Sequence, residues 1–184
     1  MASNNNYGIE GKWYTSADIK DLEDEVSLGD RVEFDRGGVC AHWGIFVGPY
    51  QDMRHAVIHF GIFEGGSEFV KKKAIGIPHA ASKKPEILAD TIGKILGGSG
   101  RVRINNSRDY KEKPLDPGDI IEIAKTMHRD QTPIDYNLVH SNCEHFVNIC
   151  RYNDPHSDQI TALQTAGYLL TLAIGAIGAV IGLG

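Results

Sequence analysis

Residues 141–152 read SNCEHFVNICRY, and they decide how the rest of the chain is interpreted. Serine and asparagine are preferred helix N-cap residues, so a helix is predicted to begin at Cys143. Asn153-Asp154-Pro155 ends it, because proline cannot continue a helix. Apolar side chains recur at the spacing of one helix face, at Cys143, Phe146, Val147 and Cys150. The stretch therefore predicts a helix with one buried face and a cysteine in its first turn.

Two roles are open to Cys143. At a helix N-terminus the partial positive charge favours the thiolate, which predicts a lowered thiol pKa. The backbone N–H groups there would also face an oxyanion formed on an attacked carbonyl. These are the requirements of a thiol acyl-transfer enzyme. The alternative is that Cys143 is a small buried hydrophobe like Cys150.

The neighbouring histidines do not supply the base. His145 lies two residues along the helix, about 200° around it, so its ring leaves on the side opposite the sulfur. For the same reason Cys143 and His145 do not converge on one metal, and no second ligand pair with zinc spacing exists in the chain. His140 precedes the helix and is assigned no role.

A predicted hairpin supplies better candidates. Residues 42–47 (HWGIFV) and 55–60 (HAVIHF) are β-rich runs separated by a polar, proline-containing loop, and the alternating run at 31–35 precedes them. His42 begins the first run and His59 ends the second, so an antiparallel turn brings both to one end of the sheet. One imidazole would accept the thiol proton and a second group would orient it. His55 shares a strand face with His59 and is its rival as the orienting group.

The remaining segments with periodic apolar residues indicate an α+β fold. Apolar periodicity between Pro85 and Gly97 predicts a helix over 86–96, residues 101–104 alternate as a strand, and residues 120–127 are a helix candidate. Residues 1–25 are polar and are expected to form a mobile arm or a short surface helix. The fold class is therefore α+β, with a small antiparallel sheet packed on helices.

Composition limits the function classes. The 184 residues carry a formal net charge of −5, which argues against a protein whose main partner is nucleic acid. Basic residues cluster locally at 71–73. Three cysteines without a CxxC spacing suit a reducing compartment. No secretory signal is found at the N-terminus, so the catalytic domain is expected to be cytoplasmic.

The C-terminal tail, residues 160–184, is uncharged and mostly apolar, unlike the rest of the chain. Residues 160–184 contain no charged side chain, and residues 166–184 are apolar almost throughout. As a helix, those last nineteen residues span about 28 Å, close to the roughly 30 Å hydrocarbon core of a bilayer. Small residues recur at four-residue spacing, as in packed membrane helices. We predict a C-terminal membrane-anchor helix; the alternative is a buried helix of the domain.

These motifs together resemble the LRAT-like phospholipase/acyltransferases, relatives of lecithin retinol acyltransferase within the NlpC-type papain-like fold. The resemblance covers most of residues 26–184 and implies a circularly permuted papain-like arrangement, with the nucleophile at a helix N-terminus and a C-terminal hydrophobic helix. The motifs that carry it are LGD (28–30), HWGIFVG (42–48), VIH (57–59), VRINN (102–106), NCEHFVN (142–148), RY (151–152) and SDQ (157–159).

The resemblance implies a role for each site residue. Cys143 is the nucleophile that carries the acyl thioester, His42 the general base and His59 the histidine that orients it, with His55 as the rival. The implied activity is calcium-independent cleavage of glycerophospholipid acyl esters. The acyl group then passes to water, to the amine of phosphatidylethanolamine or to a lysophospholipid. Neither a metal nor a cofactor is implied.

The chain also departs from the family pattern. The segment between His42 and His59 is longer than usual, residues 61–100 align poorly, and residues 1–25 are additional. The expected organisation is a polar arm (1–25), a catalytic domain (26–159) and an anchor helix (160–184). Alternative functions are a retinol-type O-acyltransferase of the same fold, a non-enzymatic interaction module with the same motifs, and a cell-wall peptidase of the NlpC-type group.

Overall fold

An antiparallel sheet of five strands forms the centre of the structure, a computed structural model that describes residues 6–37, 41–61, 86–132 and 143–154. The strands lie in the order β4-β3-β2-β1-β5. Their bounds are Arg31–Asp35 (β1), His42–Tyr50 (β2), Met53–Gly61 (β3), Glu86–Thr91 (β4) and Arg101–Ile104 (β5). The predicted antiparallel α+β class is confirmed. The expectations for residues 71–73, for the cap at 141–142 and for the tail fall outside the described ranges.

Strands β2 and β3 form the predicted hairpin, and β1 pairs with β2 to complete the meander. The register places Gly44 opposite His59 and Ile45 opposite Ile58. The register shifts near Gly48, which has a φ of 68° and so adopts a left-handed conformation that glycine tolerates best. The hairpin therefore brings the start of β2 beside the end of β3.

The helix predicted over 86–96 is wrong in its first half. Residues Glu86–Thr91 form β4, which pairs along its whole length with β3. A helix, α2, occupies only Ile92–Leu96; the Thr91 hydroxyl caps it by accepting a hydrogen bond from the Lys94 amide at 3.3 Å. Pairing with the open edge of β3 outweighs the local helical periodicity, as tertiary context often does. The helix ends at Gly97 as predicted.

Helices cover both faces of the sheet. Helices α3 (Pro117–Asp130) and α4 (Cys143–Tyr152), both predicted, pack on one face against Ile45, Ile58 and their neighbours. The other face packs against α1 (Ile19–Glu25) and α2 through Val32, Phe46 and Val57. Because the central strands are covered on both faces, they consist of nearly continuous apolar residues.

The N-terminal segment packs on the domain over its described part. Glu10 bridges Asn105, and Tyr14 bridges Val102 of β5. Tyr14 is buried in the core that also holds Leu22 of α1. This predominantly polar segment therefore contributes Tyr14 and Leu22 to the core on the face of the sheet that α1 and α2 cover.

The end of α4 is held by a buried ion pair. The Arg151 guanidinium donates to both carboxylate oxygens of Asp109, at 2.9 and 2.7 Å, and to the Gly29 carbonyl at 2.7 Å. The Tyr152 hydroxyl donates to the same carboxylate at 2.8 Å. Asp30, beside Gly29, accepts from the Asn106 amide at 2.8 Å. Residues of the LGD, NN and RY motifs therefore form one buried polar cluster that holds the end of α4.

Among the described residues no helix is both long and apolar enough to cross a membrane. The tail at 160–184, where the anchor helix is predicted, lies outside those residues. The anchor therefore stays a prediction.

We expect Arg151→Met to lower the free energy of unfolding by about 3 to 5 kcal/mol, because it leaves the buried Asp109 carboxylate without its cation. The matched control is Arg101→Met, since Arg101 pairs with Asp35 at 2.9 Å but on the surface. That pair is expected to contribute about 1 kcal/mol or less. Urea unfolding followed by circular dichroism measures the free energy of unfolding of both variants. Equal losses would show that the Arg151–Asp109 pair contributes no more than a surface ion pair.

Candidate active site

Two histidines meet where β2 begins and β3 ends. His42 Nε2 lies 3.1 Å from His59 Nδ1, and the rings are nearly perpendicular with centroids 5.0 Å apart. The His59 side chain is fully buried, whereas His42 is half-buried. The antiparallel register of the hairpin therefore brings together the two histidines that the sequence proposed as a pair.

Gly44 leaves the space for this contact. It lies opposite His59 in the register. A Cβ at this position would stand 2.3 Å from Val57 Cγ1 and 3.3 Å from His59 Cβ. Any side chain there would push His59 or its strand away from His42, so the glycine of the HWG motif serves the geometry of the pair.

Cys143 begins α4, as predicted. Its thiol donates to the Ala41 carbonyl, with sulfur and oxygen 3.7 Å apart. The backbone N–H groups of Trp43 and Glu144 point at the sulfur and favour the thiolate. Since Ala41 and Trp43 flank His42 in the chain, the sulfur lies against the start of β2.

A buried cluster holds the first turn of α4 in this place. The Arg31 guanidinium lies 4.3 Å above the Trp43 ring, and one of its nitrogens is 3.8 Å from a carboxylate oxygen of Glu144. Arg31 and Glu144 are both 3% exposed. The glutamate of NCEHFV thus links the turn that carries Cys143 to strands β1 and β2.

The thiol pKa moves opposite to the expectation from the helix N-terminus. Burial raises the pKa of Cys143 to about 12, and the backbone N–H groups at the sulfur only partly oppose this. The residue is half-buried by area, but protein surrounds the sulfur, and the desolvation of that atom sets its pKa. The helix terminus therefore does not make a resting thiolate.

The histidines are neutral for the same reason. Burial lowers the pKa of His42 well below 6.5, and the nearby His59 and Arg36 charges act in the same direction. Burial also lowers the pKa of His59, although Asp90 opposes the shift. At neutral pH the cluster consists of a protonated thiol and two uncharged imidazoles.

The other candidate histidines lie elsewhere. His55 Nδ1 is 3.2 Å from a carboxylate oxygen of Glu23 in α1, and its ring stacks on Phe46. It shares the face of His59, as expected, but four residues along a strand separate the two by about 13 Å. His145 is half-buried on α4, and His140 falls outside the described residues. The structure thus brings His59, not His55, to His42.

Sequence reasoning missed Asp90. Its carboxylate oxygen Oδ2 lies 3.4 Å from His59 Nε2, and its Oδ1 accepts a hydrogen bond from the Lys94 ammonium. The only local signal is an Asp/Lys pair four residues apart inside a segment predicted to be a helix, where such a pair is an ordinary surface feature. Within the described ranges, no group of three or more acidic, histidine or cysteine residues is arranged to hold a metal ion.

The chain matches known proteins over most of its length. The family model described as Lecithin retinol acyltransferase matches residues 24–156. The chain is 34% identical over 141 residues to human "Phospholipase A and acyltransferase 2", covering 76% of this chain and 80% of that protein. It is 30% identical over 156 residues to mouse "Phospholipase A and acyltransferase 3", covering 85% and 89%.

Human "Phospholipase A and acyltransferase 1" is 29% identical over 148 residues, covering 80% of both chains. The matched region contains every described element from β1 to α4, together with Cys143 and both paired histidines. The chain therefore belongs to the lecithin retinol acyltransferase family.

Proposed function

We propose that this protein cleaves acyl esters of glycerophospholipids through a thioester on Cys143. The observation that carries the proposal is the sulfur of Cys143 lying at a helix N-terminus against the backbone on both sides of His42, whose ring contacts the buried His59. Relatives that cover most of the chain are named phospholipase A and acyltransferase, which supports this substrate class.

The proposed reaction has two half-steps. His42 accepts the thiol proton while the sulfur attacks the ester carbonyl, and the tetrahedral oxyanion collapses to the thioester. The leaving alkoxide of the lysophospholipid takes the proton from His42. Water, the amine of phosphatidylethanolamine or a lysophospholipid hydroxyl then attacks the thioester, and His42 takes its proton and returns one to the sulfur.

The neutral resting pair determines when the proton moves. With the pKa of the thiol at about 12 and that of His42 below 6.5, a preformed thiolate–imidazolium pair is a negligible fraction. Proton transfer must therefore accompany attack on a bound ester. His59 supports this step as the group that orients the His42 ring.

The tail is proposed to anchor this chemistry at its substrate. Residues 160–184 carry no charge, and the apolar run 166–184 is long enough to cross a bilayer as a helix. An anchored domain meets phospholipids at the membrane surface, where their ester groups lie.

We expect Cys143→Ala to lower the release of labelled acyl groups from phosphatidylcholine by at least about 10³-fold, with calcium chelated, because the nucleophile is removed. Mass spectrometry should find an acyl group on Cys143 in the unaltered protein. Cys150→Ala is the matched control, since Cys150 is a core residue of the same helix and lies outside the site. Undiminished release by Cys143→Ala would contradict the mechanism.

The same assay separates the acceptors. Labelled N-acyl product after addition of phosphatidylethanolamine would favour transfer over hydrolysis, whereas labelled ester formed only with added retinol would support the retinol-type alternative.

We expect kcat/KM to stay level from about pH 7 to about pH 9. At lower pH, once His42 is protonated, kcat/KM should fall about tenfold for each pH unit. The lowered pKa of His42 puts that fall below pH 6.5, and the raised thiol pKa leaves no alkaline limb in this range. His59→Gln should abolish most activity, whereas His55→Gln, which alters the contacts with Glu23 and Phe46 away from the histidine pair, should retain it. Equal losses in the two variants would leave the role of His59 without support.

We expect the full chain to remain with membranes after washing at high salt and high pH, and a chain that stops before Ala166 to be released. Ile174→Arg places a charge at the middle of the apolar run and should weaken retention by about 2.5 to 3.5 kcal/mol of insertion free energy. Gln164→Arg, ahead of the run, is the control. Recovery of the full chain in the supernatant would show that the tail is no anchor.

A further inference from the structure

A chain of side-chain contacts continues from the histidine pair to the edge of the sheet. His42 Nε2 meets His59 Nδ1 at 3.1 Å, and His59 Nε2 meets Asp90 Oδ2 at 3.4 Å. The other oxygen of Asp90 accepts from the Lys94 ammonium. His59 is fully buried and the Asp90 side chain is 8% exposed, so the contact between them is shielded from water, whereas the Lys94 side chain is 65% exposed.

Asp90 is ionised in this environment. Burial by itself raises the pKa of its carboxyl, but the hydrogen bonds with His59 and Lys94 outweigh burial, and the pKa lies below its usual value. An ionised carboxylate only accepts hydrogen bonds.

The position of every ring proton follows from that acceptor. His59 Nε2 must carry a hydrogen to bond Asp90, so Nδ1 of the same neutral ring is an acceptor. His42 Nε2 must then be the donor in the contact between the rings. The hydrogen of the neutral His42 ring is thereby placed on Nε2, which leaves Nδ1 as its basic nitrogen.

We propose that Asp90, held by Lys94, is a positioning residue that sets the tautomers of His59 and His42 and so makes His42 Nδ1 the nitrogen that accepts the thiol proton. The effect of Asp90 on catalysis rests on the proposed function. The assignment of the two tautomers does not depend on it. Without a carboxylate at this place, nothing in the pair itself prefers this order of donors and acceptors over the reverse.

The geometry makes Asp90→Asn a sharp test. The Lys94 ammonium has only donors, so it takes the amide oxygen and turns the amide NH₂ toward His59. His59 Nε2 must then accept, its hydrogen moves to Nδ1, and His42 Nε2 becomes an acceptor with the hydrogen on Nδ1. The substitution should reverse both tautomers without removing any side-chain volume.

Nitrogen-15 NMR of labelled imidazoles reads the tautomers directly in the full chain, with assignment by His42→Gln and His59→Gln. We expect hydrogen on Nε2 of both rings in the unaltered protein and on Nδ1 of both in Asp90→Asn. The opposite tautomers in the unaltered protein would overturn the proposal, whether or not any variant folds. Since this readout needs no substrate, it stands even if the chain transfers no acyl group.

We expect Asp90→Asn to lower kcat by about 10²-fold and to change KM by less than about threefold. Losing an outer hydrogen-bond partner typically lowers activity by about 10- to 100-fold, and a wrong histidine tautomer lowers it more. The double variant Asp90→Asn with Lys94→Met should regain about tenfold of that loss or more, the effect of one such partner. With the ammonium gone, the amide is able to turn its oxygen to His59. A structural role alone predicts a double variant no better than the single one, and that result would contradict the proposal.

Asp154→Asn is the matched control. Asp154 also pairs with a basic side chain, with Arg108 at 2.9 Å, but it lies beyond the far end of α4. We expect its kcat and the imidazole nitrogen shifts of His42 and His59 to match those of the unaltered protein. A loss equal to that of Asp90→Asn would show that any missing carboxylate produces the effect.

Discussion

The buried ion pair between Arg151 and Asp109 determines where helix α4 lies, and the site depends on that placement. Asp109 follows β5, and Arg151 also binds the carbonyl of Gly29 ahead of β1, so the end of the helix is attached to loops from two strands. A ten-residue helix is a rigid rod about 15 Å long. Arg31 and Glu144 hold the other end of this helix. Cys143 is therefore placed at the start of β2.

Burial then sets the chemical state of the site. The pKa of the thiol rises and the pKa values of both histidines fall with the same largest cause, that each charged form loses its hydration. The site therefore rests as neutral groups, and in the proposed reaction it becomes charged only when an ester is attacked. A single carboxylate, Asp90, lies at the end of the hydrogen-bond chain and gives it a direction.

Much of the fold follows from local patterns because those patterns report burial directly. Alternation predicted β1 and β5, the two β-rich runs predicted the hairpin, and helical spacing of apolar residues predicted α3 and α4. The segment 86–96 was predicted wrongly as one helix because the open edge of β3, which pairs with β4, is not visible in that segment. Asp90 was missed with it, since its partner His59 lies 31 residues away.

The sequence by itself determined the family, the antiparallel hairpin with a histidine at each outer end, and the helix that begins with Cys143. These features are written in residue type and spacing within short stretches. Only the tertiary structure decided that His59 rather than His55 meets His42, that the thiol pKa rises rather than falls, and that the Asp90 carboxylate meets His59. Each of these depends on which distant side chains surround a group and exclude water from it, and no local pattern records that.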